Sequence, residues 1–408
     1  MKILYITYDG LSDPLGQSQV LTYLVGLAKR GYNVTIISTE KKSAKSLFGG
    51  IGELLKNNNI SWHPISYTKK PQVLSTFYDC IKLLLLARRL TRRDHFDIIH
   101  CRSYIPGLIG SHIKNRFGLK FIFDMRGFYA DERIDGRIWK QSSLLYRMLY
   151  KFFKREEQKF LANADYTICL TDRAKNEILK WKIIPGQPIP IKVIPCCADM
   201  DNFDPSGISV EQKGKYREKA GVIETDFILM YMGAIGTWYM LDEMFDFFKR
   251  LLIARPAKFM FITYDNPENI LKVARKKGIE ESLIRIVKAK HDEVPGFLSI
   301  SDLAIFFIKP LYSKMASSPA KQGEIMSMGI PIICNSNIGD SDRIIHEADG
   351  GMIIRSFNNE DYDYVVSQIP DLLLKSKDKI RETAKHYFSL EQGVRHYSEV
   401  YELLAGKK

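Results

Sequence analysis

The sequence predicts an α/β protein of two domains, each a doubly wound parallel sheet covered by helices on both faces. Three observations predict it. A chain of 408 residues is too long for one ordinary core and suits two of about 200 residues each. Short β-branched and aromatic runs alternate with helical patterns along its length, as parallel strands joined by crossover helices require. A polar break, Asp204-Pro205-Ser206-Gly207, interrupts the alternation midway and is expected to link domains at 1–204 and 205–389.

In the first half, strands are expected at Lys2–Tyr8, Val34–Thr39, Ile60–Ser66, Asp97–Arg102, Lys120–Met125, Tyr166–Thr171 and Lys192–Cys197. Ligands of such sheets bind beyond the C-terminal strand ends. The first end, Tyr8-Asp9-Gly10 through Leu15-Gly16, is a glycine loop feeding a helix from about Gln17 to Arg30. Gly16 there either admits a phosphate or sugar close to the backbone or simply makes a turn.

In the second half, strands are expected at Ile228–Met232, Lys258–Thr263, Ile284–Lys288, Leu303–Ile308, Ile330–Cys334 and Gly351–Arg355. Helical patterns cover about 240–254, 266–277, 319–328 and 358–374, and Glu391–Leu404 forms a final helix. No short-period repeat is visible; the halves share architecture and not sequence.

Sixty Lys and Arg against 47 Asp and Glu give a net charge of +13, which points to an anionic partner such as nucleotide phosphates, lipid head groups or nucleic acid. Nucleic acid is set aside because no recognition motif accompanies the charge. Six cysteines, at 80, 101, 169, 196, 197 and 334, show neither a disulfide framework nor metal-ligand spacing. No signal peptide or apolar run of ~18 residues is visible. A soluble protein of the reducing cytoplasm is expected, working either free in it or at the inner face of the plasma membrane.

The most informative stretch is FIKPLYSKMASSPAKQGEIMSMGIPIICN, Phe307 to Asn335. A strand runs into a polar loop with Lys309, Lys314, Ser317 and Ser318, and a helix then opens with Ser318 as expected N-cap and Pro319 as first helical residue. The free N–H groups of that helix end attract anions. Lys321 in the first turn opposes the helix dipole, so something negative is expected beside it. Glu324 follows on the same face, and the pair suits a nucleotide, the lysine on a phosphate and the carboxylate on sugar hydroxyls. The plainer alternative is a capped helix with an i,i+3 ion pair contributing ~0.2–0.5 kcal/mol. Lys314 is equally well a solvated loop charge.

This segment resembles the donor motif of glycosyltransferase family 4, enzymes of the GT-B fold. The match is carried by Ser317, Ser318, Pro319, Lys321, Glu324, Gly329 and Pro331. The opening KILYITYDGLSDPLGQSQVLTYLVGLAKRGYNVTIIS, the loop YMGAIGTWYMLDEM and the segment KVIPCCADMDNFDP resemble other parts of the same family. The resemblance implies two Rossmann-like domains facing across a cleft, with the C-terminal helix (about 390–408) crossing back to the first. It also implies a retaining, metal-independent transfer of a hexosyl or N-acetylhexosaminyl group from a nucleotide-diphosphate sugar, UDP favoured over GDP. The acceptor would be a saccharide or polyprenyl- or lipid-linked saccharide of surface polysaccharide assembly, and no cofactor is expected beyond the co-substrate.

Two departures stand out. Ala316 occupies the position of a glutamate common in the family, and Gly233-Ala234-Ile235-Gly236-Thr237-Trp238-Tyr239 lacks the arginine and lysine that grip the diphosphate in many members. The burden then falls on Lys309, Lys321, Ser317, Ser318 and the helix end, with Gly233 and Thr237 assisting. Gly16 lies at the reacting centre, Glu324 on ribose or sugar hydroxyls, and His291 beside the base. Asp199-Met200-Asp201 formally matches a metal-binding pair but lies in the interdomain segment, so no metal site is expected.

In the first domain FIFDMRGFYADE places Arg126, Tyr129 and Asp131 where family members contact lipid-linked acceptors; alternatively Arg126 pairs with Asp131 or Glu132 to order the loop. Lys321, Glu324 and Arg126 are the residues expected to act in catalysis. His100 is read as a satisfied strand-end histidine. Two basic amphipathic stretches, 73–93 and 142–161, either rest on an anionic bilayer or merely cover the sheet. The same fold also hosts sugar-nucleotide epimerases, and the two departures leave room for an inactive nucleotide-sugar-binding subunit.

Overall fold

A computed structural model describes residues 1–183 and 188–406. The chain divides into two compact units, Met1–Pro195 with the chain from Leu390 onward, and Cys196–Ser389. The division falls upstream of the expected break because 196–204 is stitched to the second unit. Ala198 N–H donates to Phe388 O at 2.7 Å, and Asp204 takes Arg381 Nη2 at 3.1 Å. Asp204–Gly207 is accordingly a capped turn within that unit and not the link.

The first unit holds a seven-stranded parallel sheet of β1 (Lys2–Thr7), β2 (Asn33–Glu40), β3 (Ser61–Ser66), β4 (Ile98–Arg102), β5 (Lys120–Asp124), β6 (Tyr166–Cys169) and β7 (Ile191–Val193). Its order is β3-β2-β1-β4-β5-β6-β7. The second holds β8 (Ile228–Met232), β9 (Lys258–Ile262), β10 (Ile284–Val287), β11 (Leu303–Phe306), β12 (Ile332–Asn335) and β13 (Gly351–Ile354). These lie in the order β10-β9-β8-β11-β12-β13. Each expected strand is present. Central strands such as Ile228–Tyr231 are fully buried, which is why they read as unbroken apolar runs: helices cover both faces.

In each sheet the winding reverses once, between β1 and β4 and between β8 and β11, and the reversal opens a crevice at the C-terminal strand ends. The helix entering the first crevice is less regular than expected. A short turn at Pro14–Gly16 and a π-wound stretch at Gln17–Leu21 precede the α-helix Thr22–Lys29. A Cβ on Gly16 would stand 1.8 Å from Gly10 O, so the room left by the missing side chain is filled by the chain's own backbone.

The closing helix, Leu390–Leu404, belongs to the first unit and buries Val394, Tyr397 and Tyr401; residues 407 and 408 lie outside the described chain.

Candidate functional site

In the second unit the switch point gathers most of the anticipated donor residues. The loop after β8 is tied to the loop after β11: Met240 N–H donates to Phe307 O at 2.9 Å and Lys309 N–H to Trp238 O at 3.0 Å. Gly233, with φ +100°, is exposed, as are Gly236, Thr237 and Lys309, while Ser317 and Ser318 are half-buried.

The helix behind this loop starts one residue later than expected, at Ala320, with Pro319 in extended geometry as N-cap and no side chain capping it. The Ser318 hydroxyl accepts instead from Cys196 N–H at 3.2 Å. The first N–H groups of the helix are thus left without a side-chain cap.

Lys321 is only 8% exposed. Its ammonium lies between two rings, 4.0 Å from the centroid of Tyr231 and 3.8 Å from that of Tyr239, and Nζ has no hydrogen-bond partner. A Cβ on Gly233 would come within 3.3 Å of it, so the amine lies directly beneath the glycine turn. Burial holds its pKa well below the usual lysine range, with Glu324 pulling weakly the other way. The rings were not anticipated: the sequence marks Tyr231 as a core strand residue, and only the folded loop swings Tyr239 opposite it.

Glu324, also 8% exposed, faces His291, with Nε2 to Oε1 3.5 Å. Hydrogen bonding to Glu324 is the main reason the His291 pKa is raised, and its ring meets Phe203 edge-on at 5.5 Å. Lys314 is not a solvated charge: it is 5% exposed with Nζ 3.6 Å from the Trp238 ring centroid. Asp199 serves its own turn, accepting from the N–H of Asp201 and Asn202.

In the first unit the three candidate acceptor residues have separate surroundings. Asp131 accepts from Tyr150 OH and Lys154 Nζ, both at 2.9 Å, so it anchors the helix Leu144–Asn163 and does not pair with Arg126. Tyr129 stacks on Tyr104 at 5.3 Å and meets Phe153 at 5.1 Å, packing that leaves its ring within an aromatic cluster. Arg126, in left-handed geometry at φ +56°, turns toward Asp124, 3.8 Å away.

His100 is buried; its Nδ1 lies 2.8 Å from Tyr401 OH and burial lowers its pKa. Glu40, unremarked in the sequence, is 2% exposed and fixes the glycine loop. It accepts from Leu11 N–H at 2.7 Å, Ser12 Oγ at 2.6 Å and Ser38 Oγ at 2.6 Å.

The two amphipathic stretches are the helices Gln72–Arg93 and Leu144–Asn163. Leu74, Phe77, Tyr78, Ile81 and Leu85 of the first, and Leu144, Leu145, Met148 and Phe152 of the second, are exposed. Among the described residues no helix is long and apolar enough to cross a membrane.

The family model described as Glycosyltransferase Family 4 matches residues 16–202, and that of Glycosyl transferases group 1 matches 212–387. No curated protein matches the sequence. Among solved structures the chain is similar to sucrose-phosphate synthase from Thermosynechococcus elongatus, with TM-score 0.75, 13% identity and 100% of each chain covered. A glycosyltransferase from Rickettsia africae gives TM-score 0.70 at 17% identity over 100% of this chain and 99% of the other. HepE from Anabaena in complex with UDP and glucose gives 0.70 at 13% identity over 98% and 99%. At such identities the likeness establishes the two-sheet GT-B fold.

Proposed function

The chain belongs to the glycosyltransferases, family 4 and group 1, and on that premise we propose that it moves a sugar from UDP to a saccharide or lipid-linked saccharide, retaining anomeric configuration without a metal. The observation that carries this is the buried Lys321 amine, without a hydrogen-bond partner beneath the Gly233 turn at the β8/β11 switch point. A buried donor left unsatisfied is costly, and the β- or α-phosphate of a nucleotide supplies what it lacks. The Anabaena structure holding UDP and glucose favours a uridine donor.

As the bond from anomeric carbon to phosphate oxygen breaks, both bonding electrons leave with the diphosphate. Lys321, those N–H groups of the glycine turn not already given to Ile262 O (Gly233) or Asp265 (Ile235), and the uncapped helix end at Ala320 stabilise that charge. Lys309, Ser317, Ser318 and Thr237 line the approach, Glu324 accepts from ribose or sugar hydroxyls, and His291 lies on the base side of Glu324. The acceptor hydroxyl attacks on the face the diphosphate leaves, and its proton passes to the departing phosphate oxygen.

Arg126 holds the acceptor from the first unit. The exposed apolar residues of Gln72–Arg93 and Leu144–Asn163, flanked by Arg89, Arg92, Arg147, Lys151 and Arg155, rest on an anionic lipid surface, each cation contributing about 1 kcal/mol. Surface polysaccharide assembly is the setting this implies.

The test is product analysis with UDP-sugars and a panel of saccharide and lipid-linked acceptors, with EDTA present. A new glycosidic linkage of retained configuration is expected. Conversion of the donor sugar to an epimer without acceptor, or nucleotide binding without any product, would overturn the reading.

A further inference from the structure

At the switch point of the first sheet, the ends of β1, β4 and β5 assemble a second charged cluster. Register sets Thr7, Arg102 and Asp124 side by side, with Asp9 just beyond β1 and Arg126 just beyond β5. Arg102 is 3% exposed. Its Nε donates to Asp9 Oδ2 at 3.1 Å, whereas Nη1 lies 4.0 Å from Asp124 Oδ2 and has no hydrogen-bond partner.

Asp124 is fully buried. It accepts from Tyr397 OH at 2.9 Å, yet its Oδ1 lacks a hydrogen bond. The His100 Nε2, 3.5 Å from Oδ2, also lacks one. Burial works to raise the Asp124 pKa, but the neighbouring guanidiniums, Arg126 first and then Arg102, help hold it below the usual range. His100, its own pKa lowered by burial, counts as neutral.

Arg102 therefore shares its one buried carboxylate, Asp124, with Arg126. The carboxylate that Arg102 actually hydrogen-bonds is Asp9, whose side chain is 41% exposed. A charge-balancing group left at the mouth of a crevice, over a buried arginine with an unused donor, can be exchanged for another anion; one sealed in the core cannot.

We propose that Arg102, supported by Arg126, forms an oxyanion subsite for a phosphate or carboxylate group of the acceptor, and that Asp9 occupies the place of that group until the acceptor arrives. This deepens the proposed function, resting on the reading that the first unit binds the acceptor, and it assigns the acceptor an anionic group. Arg102 and His100 lie on one face of β4 because strand side chains alternate. The network that ties His100 and Asp124 to Tyr401 and Tyr397 thus also fixes the floor under the guanidinium.

The test is calorimetric titration of the full-length protein with inorganic pyrophosphate, inorganic phosphate and glucuronate, UDP being held saturating so that the second unit's site is filled. At least one oxyanion is expected to bind, with Arg102→Gln weakening it tenfold or more and leaving UDP affinity unchanged. Asp9→Asn is expected to tighten it threefold or more, since the competing carboxylate is gone. Preference for phosphate or pyrophosphate identifies a phosphorylated acceptor, and preference for glucuronate a uronate-containing one. Absence of binding by all three, or equal binding by Arg102→Gln, overturns the proposal. Should Arg102→Gln fail to fold, the exposed Asp9 decides: oxyanion affinity unchanged or weaker in Asp9→Asn overturns it. Failure of UDP itself to bind would sink the donor reading alone, because the oxyanion titrations of the Arg102 and Asp9 variants can then be read without UDP.

Discussion

Replacing Lys321 by methionine should make the protein more stable and a poorer binder of nucleotide. Methionine has similar length and flexibility, so the slot between Tyr231 and Tyr239 stays filled, with sulfur–aromatic contacts of ~0.3–1.5 kcal/mol. What is lost is an amine that is 8% exposed and has no hydrogen-bond partner, a defect of ~1–3 kcal/mol. Cation–π contact with the two rings contributes ~0.5–1 kcal/mol each only while the amine is protonated, and so offsets only part of that.

The expected net gain is ~1–2 kcal/mol, raising the melting of the second unit by roughly 2–8 °C for its size. The effect depends on pH. Between the lowered folded pKa and the ordinary ~10.4, the unfolded chain binds the extra proton, so wild-type stability rises with pH through that window; the methionine variant loses this slope. UDP binding should weaken ~10–150-fold, the loss of one charge-assisted hydrogen bond of ~1.5–3 kcal/mol. Differential scanning fluorimetry and calorimetric titration measure the two effects. A variant that melts earlier and binds UDP as tightly as wild type would refute the reasoning.

Glu324→Ala should abolish transfer, weaken UDP at least ~10-fold and leave the fold intact, as read by circular dichroism; unchanged kinetics would remove the centre of the donor assignment. The same substitution should lower the His291 pKa, measured by NMR titration. In the wild type the His291–Glu324 pair contributes stability that is fully present below about 6.5 and is lost as pH rises through the raised folded value. With the histidine side chain 52% exposed, solvent screening keeps that contribution well under ~1 kcal/mol. Gly16→Ala forces a Cβ to within 1.8 Å of a backbone carbonyl and should cost ~3 kcal/mol or more; a thermal midpoint equal to wild type would contradict the packing described. Glu40→Gln replaces an oxygen that accepts from Leu11, Ser12 or Ser38 with a donor, and should cost ~2–3 kcal/mol in urea unfolding.

What the sequence made legible followed from burial. Ile3–Ile6 and Ile228–Tyr231 are covered on both faces, so their strands announce themselves as apolar runs whatever the surrounding fold. The candidate donor loop stood out for a different reason: Lys321 and Glu324 share a helix face close to a helix end, and that spacing survives folding unchanged.

Less legible were features set by contacts distant in sequence. Ser318 is a good N-cap by type, yet Cys196 N–H takes its hydroxyl, and nothing local reveals that competitor. Asp131 sits close to Arg126 in the chain, but Tyr150 and Lys154, 19 and 23 residues further on, reach it from the next long helix. Tyr239 becomes half of an aromatic slot only because its loop pairs with Ile308. The domain division moved for the same reason, since Arg381 captures Asp204 across a long stretch of sequence.

The most direct test of the central claim is a thermal-shift panel of UDP, GDP, ADP and CMP on the wild type and on Glu324→Ala, each with and without EDTA. A ligand at about 100 times its dissociation constant adds ~2.7 kcal/mol. The account predicts a shift with UDP that survives EDTA and is largely lost in the variant. A shift that EDTA abolishes, or one of equal size in Glu324→Ala, would contradict it.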